Sequence, residues 1–252
     1  MSGISRKRVV GFVPARSGSR RLANKNILSL NGHPLMAYSI SAAISSGVFD
    51  AVVCVTDSEQ YQRVACHYGA DVPFLRPSEI SGENSPDIEW VRWALEQLRF
   101  AGREFEAFSI LRPTSPFRMP ETIRRAWSAF AADPLADSLR AVEKCRHHPG
   151  KMWVLHGKRM VPLMPFFANG VPWHSTPYAS LPQVYVQNAS LEMAWSRVIT
   201  DTNTISGEII QPFFSEGLEG FDINEPDDWL LAEQLAGTKA DVLPVINVKP
   251  FR

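Results

Sequence analysis

Ala51-Val52-Val53-Cys54-Val55 puts an apolar side chain at every position of a five-residue run. Successive side chains of a strand face opposite sides, so this run has no face fit for water. It predicts a strand inside a largely parallel sheet, covered above and below. Parallel neighbours need long crossovers, usually helices. The chain offers matching parts. Residues 9–13 and 107–111 are further apolar runs, and four helix patterns lie around them. Residues 34–46 open on Pro34 and stop before Gly47. Ser58 caps a segment that runs to Tyr68 and closes at Gly69. Pro86 opens a helix to about residue 100, with Ile88, Val91, Leu95 and Leu98 on one face. Pro120–Ala132 carries Ile123, Trp127 and Phe130 on one side. The alternation predicts right-handed βαβ units and a doubly wound α/β domain.

The first apolar run empties into a loop. Residues 16–25 hold Arg16, Arg20, Arg21 and Lys25 and no acid, although the chain as a whole balances 26 basic with 26 acidic residues. Backbone N–H groups of a small-residue turn, here Ser17-Gly18-Ser19, can point at phosphate oxygens. Arginine adds forked oxygen recognition and lysine a mobile point charge. The loop reads as a site for a polyanion such as a nucleoside triphosphate. It matches neither G-x-x-x-x-G-K-[ST] nor G-x-G-x-x-G. The missing glycine pattern argues against a dinucleotide-dependent dehydrogenase.

The 252 residues suffice for one α/β domain with an insertion. Neutral overall charge argues against a nucleic-acid partner. No apolar run approaches the roughly 18 residues of a membrane span. Residues 1–8 are charged and lack a leader's apolar stretch. Cys54, Cys66 and Cys145 are scattered, with neither metal spacing nor a disulfide framework. These features predict a cytoplasmic protein. The texture changes at about 145–183, where prolines interrupt every period while Trp153, Phe166, Phe167 and Trp173 persist. That stretch reads as an insertion that buries apolar surface, with a second copy of the chain as the natural partner. Regular structure returns at 184–186, 191–195, 208–213 and 226–235.

Pro14-Ala15-Arg16-Ser17-Gly18-Ser19-Arg20, followed by Lys25-Asn26, resembles the P-A-R-x-G-S-[KR]…K-N signature of the acylneuraminate cytidylyltransferases. Arg112-Pro113-Thr114-Ser115-Pro116-Phe117-Arg118 is similar to that family's Q-P-T-S-P-x-R. Asp222-Ile223-Asn224 stands where the family reads Asp-Ile-Asp, and Gln187-Asn188-Ala189-Ser190-Leu191 partly matches N-G-A-[IL]-Y. The resemblance implies a Rossmann-like, mostly parallel sheet of the nucleotide-diphospho-sugar transferase type, with a dimerising insertion. It implies transfer of CMP from CTP to a nonulosonic acid, with Mg²⁺ as cofactor. Within it, Lys25, Arg16 and Asp222 are the catalytic candidates. Ala15, Ser17, Gly18, Ser19, Arg20, Asn26, Arg76 and Ser85 join them around the nucleotide. Arg112, Thr114, Ser115, Gln187, Asn188 and Glu192 fall near the sugar. Asp222 and Asn224 fall near the metal, with a helix N-cap as the other reading of Asn224. Arg21 has no place in the motif and is expected in solvent. Arg112 replaces a glutamine and could meet a sugar carboxylate or pair with a nearby acid. Glu192 replaces an aromatic. These two departures keep legionaminic, pseudaminic and octulosonic acceptors, or another base, open beside sialic acid. Asn224 leaves room for a catalytically weak nucleotide-binding regulator.

Overall fold

The computed structural model describes residues 7–19, 21–239 and 241–251. Its main sheet runs in the order Ile210–Phe214, Ser138–Lys144, Tyr185–Trp195, Ala107–Ile110, Val9–Pro14, Ala51–Val55. Val9–Pro14 is parallel to both of its neighbours, and Tyr185–Trp195 is antiparallel to Ala107–Ile110. The apolar runs are buried on both faces, as their lack of polar side chains requires. On one face Phe12, Val55, Phe108 and Ile110 pack against the helix Asp87–Phe100. On the other, Val13, Cys54 and Leu111 pack among the helices Leu35–Ser46, Glu59–His67 and Pro120–Ala132. Gly11 lies in the middle of the first strand because Phe49 covers it. A Cβ there would come within 3.0 Å of that ring.

The helix Asp87–Phe100 is rotated relative to its periodicity. Trp90, Val91, Ala94 and Leu98 are buried, while Ile88 and Leu95 are only partly so. Trp90 decides this. Its indole N–H donates to Asp87 Oδ1 at 2.7 Å, and its ring meets Phe12 edge-on at 5.8 Å. A second difference concerns residues 184–195, expected as two strands. They form one, Tyr185–Trp195, because the ladder carries the polar stretch 187–190 through. The last strand is Ile210–Phe214.

Two compact units emerge, residues 1–141 with 188–252, and residues 142–187. The second holds an antiparallel hairpin, Trp153–His156 with Arg159–Pro162. His148 is buried there. Its Nε2 donates to the Pro182 carbonyl at 2.9 Å, while its Nδ1 accepts from the Gly150 N–H at 3.0 Å. Lys151 donates to the carbonyl of His174 at 2.9 Å. These bonds tie His148 and Lys151 into their own unit. No described helix is long and apolar enough to cross a membrane.

Candidate active site

A cleft of about 460 Å³ opens at the carboxyl ends of the parallel strands and contains Pro14, Arg16, Lys25, Arg76, Arg112 and Asp222 in its walls. Open α/β sheets bind ligands at this end. A larger groove, about 830 Å³, lies at the opposite end beside Arg8 and Glu106, away from the loops that carry the charged motifs.

The loop after the first strand is held from several sides. Ala15 is buried, and its N–H donates to the Val55 carbonyl at 2.9 Å, extending the ladder by one residue. Ser17 then gives both donors to Asp57, N–H to Oδ1 at 2.7 Å and Oγ to Oδ2 at 3.1 Å. Arg16 Nη1 donates to the Gly18 carbonyl at 3.3 Å, and Asn26 Nδ2 to the Arg16 carbonyl at 3.2 Å. Ser19 lines the cleft, whereas Gly18 is exposed outside its lining. Arg20 lies outside the described residues.

Asn24 takes a left-handed conformation, φ 52°, and starts the short turn Lys25–Ile27. This turn buries Lys25 to 8% exposure, and Nζ donates to the Ile223 carbonyl at 2.5 Å. Burial holds the Lys25 ammonium below its ordinary pKa, against the opposing pull of the Asp222 carboxylate. Arg21 is not simply solvated. It lines the cleft and pairs with Glu225 at 3.0 Å.

Asp222 is the acid in this corner. Its Oδ2 accepts from Asn224 Nδ2 at 2.6 Å, and its Oδ1 is buried without a hydrogen-bond partner among the described residues. A buried carboxylate oxygen left unpaired is costly. A hard divalent cation that takes one protein carboxylate plus phosphate oxygens fits that vacancy in the bonding. Among the described residues no group of three His, Cys, Asp or Glu converges, so such an ion would depend on the nucleotide for its other ligands. Asn224 turns its amide nitrogen, not its oxygen, to Asp222. It is not the helix cap either. Glu225 caps Pro226–Thr238, with the Asp228 carboxylate accepting from the N–H groups of Asn224 and Glu225, both at 2.8 Å.

Arg76 and Ser85 line the same cleft. Arg76 is buried, donates through Nε to the Ile80 carbonyl at 2.8 Å and lies over the Trp90 ring at 5.7 Å. Burial pushes its pKa down to about 10. The loop after Ala107–Ile110 brings Arg112 and Thr114 to the opposite wall, and the Thr114 carbonyl accepts from the Ile223 N–H at 2.9 Å. Arg118 clamps that loop from beneath. At 1% exposure it donates to Ser39 Oγ at 2.7 Å and to the carbonyls of Arg112 and Ser190, and burial pushes its pKa down to about 9.

Several residues expected near the sugar have protein partners in this structure. Glu192 is turned inward, with Oε1 on Arg112 at 2.9 Å and Oε2 on Arg140. Asn188 spends its amide on Ser215 Oγ at 2.9 Å and on the Ser190 N–H at 3.2 Å. Ser115 is buried with its Oγ unpartnered among the described residues, and Gln187 falls in the second unit. Asp57, Asp87 and Arg140 escaped the sequence reading. Asp57 carried a usable signal, since it follows an apolar strand at the end where ligands bind. Asp87 and Arg140 carried none, because their partners are remote in sequence.

Residues 10–133 match a family model described as cytidylyltransferase. Over 237 residues, 94% of this chain and 99% of the relative, the chain is 31% identical to the CMP-N,N'-diacetyllegionaminic acid synthase of Legionella pneumophila. It is 44% identical over 113 residues to the N-acylneuraminate cytidylyltransferase of Escherichia coli O18:K1:H7, a match covering 45% of this chain and 26% of that longer protein. A solved CMP:2-keto-3-deoxy-manno-octonic acid synthetase complexed with CTP superposes with a TM-score of 0.66 at 15% identity, covering 92% of this chain and 99% of the other. A 4-diphosphocytidyl-2C-methyl-D-erythritol synthase from Anaerococcus prevotii has the same fold, with a TM-score of 0.59 at 12% identity over 92% of this chain and 96% of the other. The nucleotide-diphospho-sugar transferase fold is thus shared, and the chain belongs to the cytidylyltransferase family of nucleotidyltransferases.

Proposed function

We propose that this protein transfers CMP from CTP to the anomeric hydroxyl of a nonulosonic acid and releases pyrophosphate. One observation carries the reading. Arg16, Lys25 and the unpartnered oxygen of Asp222 converge in one cleft at the strand ends. The sugar oxygen forms a bond to the α-phosphorus, the bond to the β-phosphate oxygen breaks, and the hydroxyl gives up its proton. Such transfers need positioning and charge stabilisation more than covalent help. Lys25 neutralises charge at the α-phosphate, and Arg16 holds the phosphate chain. Asp222 would hold Mg²⁺, which when bound supplies Lewis-acid stabilisation to the phosphoryl oxygens.

Arg112 is the cation of the acceptor wall and suits an acid as acceptor. The relative aligned along nearly the whole chain favours a legionaminic type of acid. The unit of residues 142–187 exposes Leu155, Met160, Phe166 and Phe167, which suits a two-fold contact with a second copy. Free Cys54, Cys66 and Cys145 suit the cytoplasm. The test is pyrophosphate release with Mg²⁺, four nucleoside triphosphates and a panel of nonulosonic acids. CTP-dependent release should fall by about 10²- to 10³-fold in Lys25→Ala, the scale for losing a transition-state charge contact. Release driven by another triphosphate would overturn the base assignment. Binding of CTP without release for any acid would favour a regulator.

A further inference from the structure

The acceptor wall carries more charge than this reaction needs. Arg112 Nη2 meets two carboxylates at once, Asp87 Oδ2 and Glu192 Oε1. Glu192 pairs in turn with Arg140, which belongs to the adjacent strand Ser138–Lys144. In the antiparallel ladder Glu192 stands opposite Ile110, on the sheet face that the helix Asp87–Phe100 covers. Asp87 is the first residue of that helix and reaches the same place from above. The four side chains grade from closed to open, with exposures of 5% for Glu192 and 12% for Arg140 against 28% for Arg112 and 29% for Asp87.

An ionised glutamate this deep is tolerated only when paired. Arg140 provides a pair at the closed end, so Glu192 can hold Arg112 without neutralising it alone. A long, rotamer-rich side chain is fixed only when something grips it. Among the described residues, Arg112 uses only Nη2 on these carboxylates. Both forked edges of a guanidinium include Nη2, so an incoming oxyanion gains a forked contact with Nη1 and Nη2 by taking the place of Asp87, the more exposed of the two carboxylates.

We infer that Glu192 and Arg140 are positioning residues that hold Arg112 so that the acceptor's carboxylate can take over the end of its guanidinium that Asp87 occupies. Glu192 acts through Arg112 and does not touch the sugar. Asp87 sits at the open end, where the incoming carboxylate competes with it for Arg112. A neutral sugar brings nothing to exchange, so the device selects acids. The inference rests on the acceptor being a sugar acid, as proposed above.

The experiment is a double-substitution cycle on the full chain. Calorimetric affinity is measured for nonulosonic acids and for their C1 carboxamides, beside KM for CTP. Glu192→Gln should weaken the acid about tenfold, barely change the carboxamide and leave the CTP KM within about twofold, the size of one charge-assisted contact. With Arg112→Gln already present, Glu192→Gln should change acid affinity by less than about twofold, because coupled residues are not additive. If Glu192→Gln fails to fold, Glu192→Met with Arg140→Met removes the buried pair at matched volume and enters the same cycle. Equal losses for acid and carboxamide, or a full loss that persists beside Arg112→Gln, would reduce Glu192 to a structural residue and overturn the inference. Wild-type protein that binds the acids without making a CMP conjugate would sink the proposed reaction while the cycle still judged this inference. Wild-type protein that binds none of the acids would sink both.

Discussion

The two walls of the cleft handle positive charge in opposite ways. On the side proposed to face the triphosphate, Arg16, Lys25 and Arg76 are held by backbone carbonyls, those of Gly18, Ile223 and Ile80. A carbonyl orients a cation and leaves its charge in place. On the side proposed to face the acceptor, Arg112 and Arg140 are held by the carboxylates of Asp87 and Glu192, two cations against two acids. In the reaction proposed above, the first wall attracts and the second orients. A triphosphate brings several negative charges and gains from an unbalanced field. A sugar with one carboxylate gains more from a fixed geometry.

Asp57 is the exception that tests this contrast, since it places an acid behind the attracting wall. Its two oxygens take both donors of Ser17, so its role here is shape. Asp57→Ala should raise the CTP KM roughly 10- to 100-fold, the range expected when hydrogen bonds to a charged group are lost. Asp57→Asn keeps an acceptor for the Ser17 N–H and should cost clearly less. If instead both variants bind CTP more tightly than wild type, charge outweighs shape and the contrast breaks.

Lys25 gives the next effect. In the proposed reaction the charged amine binds phosphate, while burial favours the neutral amine and holds its folded-state pKa below 10.5. CTP affinity measured without metal should be full below that pKa and decline as pH rises through it. Asp222 pulls the pKa back up. Asp222→Asn should therefore shift the decline to lower pH, and Lys25→Ala should abolish it. An unshifted decline in Asp222→Asn would separate the two residues electrostatically.

The two walls also differ in how far they could be read from sequence. That Arg16, Lys25 and Asn26 would share a cleft was largely legible, because all three belong to the loop and turn that follow one apolar strand. The charge pairing of the acceptor wall was not. Arg112 is joined to Asp87 across 25 residues and to Glu192 across 80, distances over which no local pattern operates. Arg112 and Glu192 were each visible as unusual residues. That they meet follows from the register that sets Glu192 opposite Ile110. The same ladder sets Asn188 inside a strand. Residues 187–190, between the expected segments 184–186 and 191–195, lie within one continuous strand. Asn224 shows a third kind of limit. Its place beside Asp222 was legible, while the direction of its amide follows from Arg21, whose Nη2 donates to the Asn224 Oδ1, and from Asp222, which accepts from Nδ2.

Salt gives the smallest effect and bears on both walls at once. Without Arg112 and Asp87, the cleft's described lining keeps four cations, Arg16, Arg21, Lys25 and Arg76, against two acids, Glu83 and Asp222. An unbalanced field of this kind is screened once the Debye length falls from about 10 Å at 0.1 M salt toward a few ångströms at 1 M. The CTP KM should therefore rise several-fold between 0.05 and 0.5 M salt, the range over which exposed charge interactions are screened. The acceptor wall is neutral as a set and partly buried, and it acts through contacts too short for screening to reach. The acceptor KM should stay within about twofold over the same range, since buried pairs are screened far less than exposed ones. Glu192→Gln leaves two arginines against one acid and converts the neutral wall into a charged one. In that variant the acceptor KM should acquire the salt dependence that wild type lacks. An acceptor KM as salt-sensitive as that of CTP in the wild-type enzyme would mean that Arg112 attracts the acid at long range, and the division between the walls would fail.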